Sequence, residues 1–585
     1  MKKGLLICAI FLLGVSILGC QGDEFDRIQD TRELSETEYT VLNLASTDAL
    51  GRIIRTGDQE NGKYIGMFYH IWHGYHTAGI YNITELLQFD PEALFNIDGT
   101  PDSPLEKFHY WGEPLYGYYQ STDPWVITRH IELLTMAGVD YLVYDLTNSV
   151  IYTEAINALF EELQKFQNQG FDVPKVAFYT NSGSRVTINR CYDLWYKDGR
   201  YADLWFSFDE KPLIIGVSSE LTEAERELYF DFFDFRESQW PYGYDKDLEN
   251  GFPWMDWDYP QTNYSGTMSV SLAQHPGARM SERERSNNGR GFDYSLFQNK
   301  SENLNLGTNY QGQWQTVFAN PDQVDNVFLT GFNEWIAIKY SDGQSVFFVD
   351  TFNEEYSRDI EMVKNGYGDN YYLQTVMNVR EFKTTLPNHY QYPLVTIDVA
   401  DIADPLWGDV VATYRDFAGD AIARSYPNAS GSKTYTDNSN RNDITKVQVT
   451  HDKKNLYLRV ETLDPITAYD GSSLNWMNVL LGTGLSENTF GGFDYIINRH
   501  PGTTVTSIEQ STGGYAYEIV GDASFAVEGN IMQIAIPLKT LGLSRSNVHV
   551  QIKVADNITH YDDIMDYYVS GDSAPIGRLG YDYGH

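Results

Sequence analysis

The chain has 585 residues, enough for two or three domains, because single cores stop growing near about 250–300 residues. Its 81 acidic residues outnumber 42 basic ones, giving a formal net charge of −39, which excludes a partner bound by phosphate neutralisation and so excludes nucleic acid. Aromatic residues make up 15% of the chain, with 43 Tyr and 12 Trp; such side chains fill cores and also offer flat faces to sugar rings.

Lys2 and Lys3 precede an apolar run, Leu5–Leu18, that is too short for a comfortable membrane span. The run ends Ile17-Leu18-Gly19-Cys20, which resembles a bacterial lipobox. Residues 1–19 are therefore expected to leave as a signal peptide. Cys20 would then take lipid and anchor the chain to a membrane without spanning it. The acidic residues just after it (Asp23, Glu24, Asp26) resemble the surface-export signal of Bacteroidota lipoproteins. The expected location is the outer membrane, on the cell surface. Residues 20–60 are polar and read as a tether. With Cys8 gone and Cys20 lipidated, Cys191 stands alone: no intramolecular disulfide is expected, and Cys191 reads as a small buried apolar group.

From Tyr64 onward apolar runs alternate with helical patterns. Candidate strands are Tyr64–His70, Asp140–Asp145, Lys175–Asn181, and Leu204–Phe208 or Leu213–Val217. Phe232–Arg236, Pro253–Met255, Met268–Leu272 and Val327–Glu334 follow. Between them Glu154–Asn168 carries apolar residues with period 3.6, and Glu223–Tyr229 reads as a helix too; helices near Asn353–Lys364 and Tyr371–Lys383 would complete the set. Strand–helix repetition of this kind predicts a parallel sheet closed into a (β/α)8, TIM-like barrel over residues 61–385. Long aromatic loops, Ile80–Ile127 and Trp240–Tyr264, interrupt it, and loops of that length in a compact domain are usually functional.

Residues 386–405 read as a linker. Beyond it, short runs such as Thr445–Thr450, Asn455–Val460, Trp476–Leu481, Ile531–Pro537 and Val548–Val554 are separated by turn residues, with little helix. That pattern predicts an all-β sandwich over residues 406–585.

The chemistry gathers at strand ends, because barrel active sites open at the C-terminal face. Glu334 follows the run VFLTGFN and is the leading candidate acid; Asp145 ends VDYLVYD and is the candidate second carboxylate. Two carboxyl groups flanking a bond are what glycoside hydrolysis commonly uses. Asn333 and Trp335 flank Glu334. His70, Trp72 and His73 close the first strand, and Asn181 and Arg236 stand at or near other strand ends; with Asn333, Trp335, Trp254 and Trp257 they are the expected substrate-binding residues. Trp254 and Trp257, in PWMDWDYP, offer a sugar platform or ordinary core mass. His70, His73 and His76 do not share one face at a strand-to-loop junction, so a zinc site is not expected there. No phosphate-binding glycine loop and no GxSxG elbow occurs, which disfavours nucleotide chemistry and serine esterases.

Together YIGMFYHIWH, GVDYLVYDLTNS, GFNEWIA, FVDTFNEEYSRDIE and DNYYLQTVMNVREFK resemble bacterial proteins of glycoside hydrolase families 71 and 99. The resemblance implies a barrel acting on glycosidic bonds in α-mannan-like or α-glucan substrates; chemistry by two carboxylates is expected to need no catalytic cofactor. One departure matters. Family 99 carries Glu-Trp-x-Glu with both acids catalytic, whereas here Glu334-Trp335 is followed by Ile336-Ala337. Either another acid such as Asp145 takes that role, or the protein captures glycans without cleaving them. The region from DPLWGDVVATYRDFAGD to IAIPLKTLGL resembles a family 9 carbohydrate-binding module, which implies a sandwich, often with calcium. Trp407 and Trp476 would then be stacking or core residues, and Asp437, Asn438 and Asp443 calcium ligands.

Overall fold

The structure is a computed structural model that describes residues 43–57, 60–241, 246–276, 279, 287–384 and 393–584. The expected signal peptide, Cys20 and the first part of the expected tether lie outside the described residues.

Eight strands carry the apolar runs: β1 Tyr64–Tyr69, β2 Tyr141–Leu146, β3 Lys175–Thr180, β4 Leu213–Gly216, β5 Asp234–Gln239, β6 Gly251–Pro253, β7 Thr267–Ser271 and β8 Asn326–Thr330. Every ladder between them is parallel, in the order β7-β8-β1-β2-β3-β4-β5-β6. The edge strands β6 and β7 lie beside one another without a ladder, so the barrel is nearly closed. Of the two alternatives for the fourth strand, Leu213 onward is the strand; Ala202–Leu204 is a short 3-10 turn.

Helices α1 Pro124–Met136, α2 Thr153–Gln167, α3 Ser184–Cys191 and α4 Glu223–Phe232 follow β1 to β4, and α5 Thr308–Phe318 and α6 Asn370–Lys383 follow β7 and β8. The described segments after β5 and β6 contain no helix. Start signals are local. The Asp123 carboxylate accepts the Trp125 N–H at the head of α1, and Thr222 with Glu225 forms a capping box on α4.

Alternation along the strands stacks the interior in layers. At the floor, Gly66 of β1 faces Tyr141 of β2, whose hydroxyl donates to Asn326 Oδ1 of β8 at 3.0 Å. Only glycine fits at 66, since a Cβ there would lie 2.3 Å from the Tyr141 ring. The middle layer holds Phe68, Val143, Ala177, Ile215 and Phe328. Two residues further on, the same alternation aims His70 and Asp145 at the mouth. The floor and middle are thus packed core, and only the top layer is left for chemistry.

The helix expected over Asn353–Lys364 does not form; the segment is irregular. Ser357, Arg358, Asp359 and Glu361 are nearly fully buried, and their polar groups serve the end of β8 and its neighbours. A regular helix would turn such consecutive side chains to different sides.

Among the described residues the C-terminal β domain is built on a curled antiparallel sheet of 13 strands, two of them (Leu44–Thr47 and Ile53–Ile54) from the N-terminal segment, with a separate two-stranded hairpin, Arg424–Pro427 and Thr434–Asp437. Among its strands are Ala412–Arg415, Ile444–His451, Asn455–Thr462, Ala516–Glu528, Ile531–Pro537, His549–Asp556 and Gly580–Gly584. It curls until non-adjacent strands meet: Tyr414 stacks on Tyr581 with ring centroids 4.7 Å apart, and His451 Nδ1 lies 2.6 Å from the Tyr583 hydroxyl. Two segments read as connectors join this domain. Leu44–Thr47, within the expected tether, pairs with Gly580–Gly584. Val395, Ile397 and Val399, within the expected linker, alternate into the core against Trp407.

The barrel and β domain share a polar and aromatic seam. Arg424 Nη2 pairs with the Asp123 carboxylate at 2.8 Å, and Phe417 stacks on Phe171 at 4.0 Å.

Candidate active site

A cavity of about 390 Å3 opens at the C-terminal ends of the strands, within the size range of small-molecule sites. Its base carries His70, Asp145, Glu334 and Arg358; Trp72, Trp240, Trp254, Phe108 and Tyr152 contribute aromatic walls. A three-stranded antiparallel sheet over the mouth, Phe108–Tyr110, Ile336–Ser341 and Val346–Phe348, supplies Ile336, Ala337, Ile338 and Tyr340 to one side.

His70 is the centre of the polar base. Its Nε2 lies 3.6 Å from Asp145 Oδ2 and 3.5 Å from Glu334 Oε1, at ion-pair distance from both. The two carboxylate oxygens therefore stand no further apart than the sum of those distances. That sum is below the roughly 9.5 Å upper limit for paired carboxyls in glycoside hydrolases. Burial lowers the His70 pKa, but Glu334, then Asp145 and Asp359, more than offset this, and the net shift is upward.

Each acid is held by its own partners. Asp145 Oδ1 accepts from the Thr147 N–H at 3.0 Å and the Thr147 hydroxyl at 2.7 Å, and Oδ2 accepts from the Trp72 indole at 3.3 Å. Glu334 Oε2 accepts from the Arg358 guanidinium, which also covers the Trp254 ring at 4.7 Å. The Glu334 N–H donates to Asp359 Oδ1 at 2.6 Å. Asp359 lies behind the cavity, where burial and the Glu334 charge push its carboxyl up to about 7. A third cavity acid, Asp350, is more open; His275 Nε2 stands 3.2 Å from it, and although partial desolvation raises its pKa, hydrogen bonding from His275 and charge from Arg358 and His275 outweigh this and hold it below the ordinary carboxylate range.

The remaining expected residues divide between cavity and frame. Trp72 and Trp254 line the cavity. Asn333 faces backbone instead: its Oδ1 accepts the His70 N–H at 2.8 Å and its Nδ2 donates to the His70 carbonyl at 3.1 Å, tying the end of β8 to the end of β1. His73 Nε2 reaches the Asn333 carbonyl at 2.7 Å, and burial with neighbouring His70 and His130 lowers its pKa to about 3, so it donates as a neutral ring. Trp335 is core: it stacks on Trp111 at 4.1 Å and donates to Glu361 at 2.5 Å. Asn181 accepts from Ser238, and Trp257 packs beside His275 at 5.5 Å; neither lines the cavity.

Arg236 is displaced to the opposite end. It pairs with Asp234 and covers Phe208, which packs on Tyr64 at the start of β1. It lies mid-strand, and its alternation places it off the mouth. Asp437 turns onto Ser439, and no polar contact of Asn438 with Asp437 or Asp443 is described. Asp443 accepts from Gly419 and faces a different set of acids, Asp420 and Asp572. Trp407 and Trp476 are both buried core residues, and so is Cys191.

Sequence reading missed Arg358 and Asp350. Arg358 lies in the charged run NEEYSRDIE and Asp350 three residues ahead of that run, in FVDTF, beyond the two strands that follow Glu334; the helix expected there drew attention away from both.

No family model matches the chain, and no curated protein matches it. Among solved structures it is similar to the GH99 endo-alpha-mannosidase from Bacteroides thetaiotaomicron, at 16% identity over 55% of this chain and 98% of that one, with a TM-score of 0.34. The structure of that enzyme with BIS-TRIS-propane gives 15% identity, the same coverage and a TM-score of 0.33. A glycoside hydrolase-like protein gives 13% identity over 58% and 99%, also at 0.33. Scores this low carry no argument about activity, and the barrel stands on its own strand order.

Proposed function

We propose that the chain is a glycoside hydrolase working in the barrel mouth. One observation carries this: Asp145, at the end of β2, and Glu334, in the loop after β8, meet on either side of His70 at the base of an aromatic-walled cavity. In this reading Glu334 acts as general acid or base on the scissile bond, oriented by Arg358 and Asp359. Asp145 is the second carboxylate; His70 between them, with Arg358 on Glu334, offsets the two charges. The aromatic walls stack on the apolar faces of sugar rings. The substrate class is a polysaccharide or complex glycan, and the enzyme would act from the cell surface, anchored at Cys20.

A second reading, glycan capture without cleavage, is favoured by two observations. Ala337 lines the cavity where the family 99 motif has its second acid, and the Asp145 oxygens are both engaged by protein donors.

The purified chain should be incubated with a panel of polysaccharides while reducing ends are followed. Release that falls about 10²–10⁴-fold in Glu334→Gln, but persists in Glu354→Gln outside the cavity, is the expected result. Retained binding with no release by the parent chain establishes capture instead. Undiminished release by Glu334→Gln removes the proposed chemistry.

A further inference from the structure

Far from the cavity, five acids converge on the seam between the barrel and the β domain. Glu132 comes from α1. Asp416 and Asp420 follow the strand Ala412–Arg415, Asp443 precedes Ile444–His451, and Asp572 opens the strand Asp572–Ala574. Carboxylate oxygens of Glu132, Asp416 and Asp420 lie within 4.8 Å of one another, and so do those of Asp420, Asp443 and Asp572. Asp420 belongs to both groups.

Acids often cluster on surfaces, but four of these five are inside and Asp443 is half-buried. Asp416 is 2% exposed, Glu132 3%, Asp572 4% and Asp420 5%. Both oxygens of Asp416, Oδ1 of Asp420 and Oε1 of Glu132 have no hydrogen-bond donor among the described residues. The nearby cations spend donors elsewhere. Lys553 donates to Ser573 and Pro575; Arg129 donates to the Val569 carbonyl and covers the Trp125 ring at 3.7 Å. A cavity of about 20 Å3 adjoins Glu132, Asp420 and Asp572, which is room for one small ion or water.

Unpaired buried carboxylates are costly, and burial with mutual repulsion pushes the carboxyls of Glu132, Asp416 and Asp572 well upward. A cation offsets that cost. Hard, all-oxygen donors select calcium or magnesium over the transition metals, and several carboxylates with few amides or imidazoles suit calcium. Two oxygens on opposite sides of a calcium ion lie about 4.6–5.2 Å apart, twice the usual bond length, which matches the observed spread.

We propose that Glu132, Asp416, Asp420, Asp443 and Asp572 form a calcium-class cation site that clamps α1 of the barrel to the β domain. The site is separate from the cavity, so it stands or falls independently of the glycosidase reading. Its role is cohesion: the ion is bound by both domains and lost when either unfolds.

The full chain should be dialysed against calcium, freed of excess and analysed for metal, then melted with and without chelator. At least one equivalent of calcium, a melting temperature that falls by several degrees on chelation, and recovery with calcium but not sodium are expected. Asp420→Asn and Asp416→Asn are near-isosteric and should abolish that response, while Asp437→Asn, outside the cluster, should keep it. Terbium should replace calcium and luminesce through Tyr567 and Tyr568, which line the small cavity, giving a readout independent of stability. Absence of bound metal, with a chelator-insensitive melt and a rise in melting temperature in Asp420→Asn, overturns the proposal, because it shows that the acids only share protons. Recovery with magnesium alone overturns the calcium assignment.

Discussion

Glu334 and Asp145 differ in what holds them. Asp145 is anchored by its own loop, through the Thr147 N–H and hydroxyl. Glu334 is anchored from afar, through Arg358 and Asp359 on a segment beyond the last barrel strand. Asp359 gives a pH-dependent prediction. Its pKa is raised in the folded chain to about 7, so the native state binds its proton more tightly than the unfolded state does. Its contribution to stability is complete below the unfolded carboxyl pKa, near 4, and is lost as pH rises through about 7. Asp359→Asn keeps the oxygen that accepts the Glu334 N–H but cannot ionise. Urea unfolding should show the variant gaining on the parent between pH 5 and pH 8; an equal difference at both values refutes this.

At the scale of elements, the period-2 alternation of β1 and β2 does the placing. Gly66, Phe68 and His70 share the interior side of β1, as Tyr141, Val143 and Asp145 share that of β2. The strand that aims His70 at the mouth must therefore tolerate Tyr141 at the floor, and only glycine leaves room. Gly66→Ala should cost about 1–3 kcal/mol by overpacking, measured as a lowered denaturation midpoint. Unchanged stability would mean that Tyr141 swings away freely. The strands and most helices were legible because apolar period and caps are local properties. The segment 353–364 was not. It was expected to be a helix, yet Arg358, Asp359 and Glu361 find buried partners on other elements. Partners distant in sequence leave no periodic signature.

At the scale of the molecule, the two domains are joined by more than a connecting peptide. Arg424 of the β domain is buried against Asp123, the N-cap of α1, and donates to the Tyr116 carbonyl at 2.9 Å. Arg424→Ala leaves that acid without its cation, at a cost of about 3–5 kcal/mol. Calorimetry should then resolve two transitions where the parent shows one; a single transition at the parental temperature would show that the seam does not couple the domains.

Composition and pattern alone determined the division into a parallel barrel and an all-β domain. Strand alternation alone also brought His70 and Asp145 to the mouth, and the end of the last strand marked Glu334. These are one-dimensional properties, carried by near neighbours in the chain. Only the tertiary structure decided that Asn333, His73 and Trp335 brace the site while Arg358 and Asp350 enter it, that Arg236 belongs to the floor, and that Leu44–Thr47 completes a sheet begun hundreds of residues later. Those outcomes depend on which distant groups meet, and burial rewards such meetings only once the chain has closed around them.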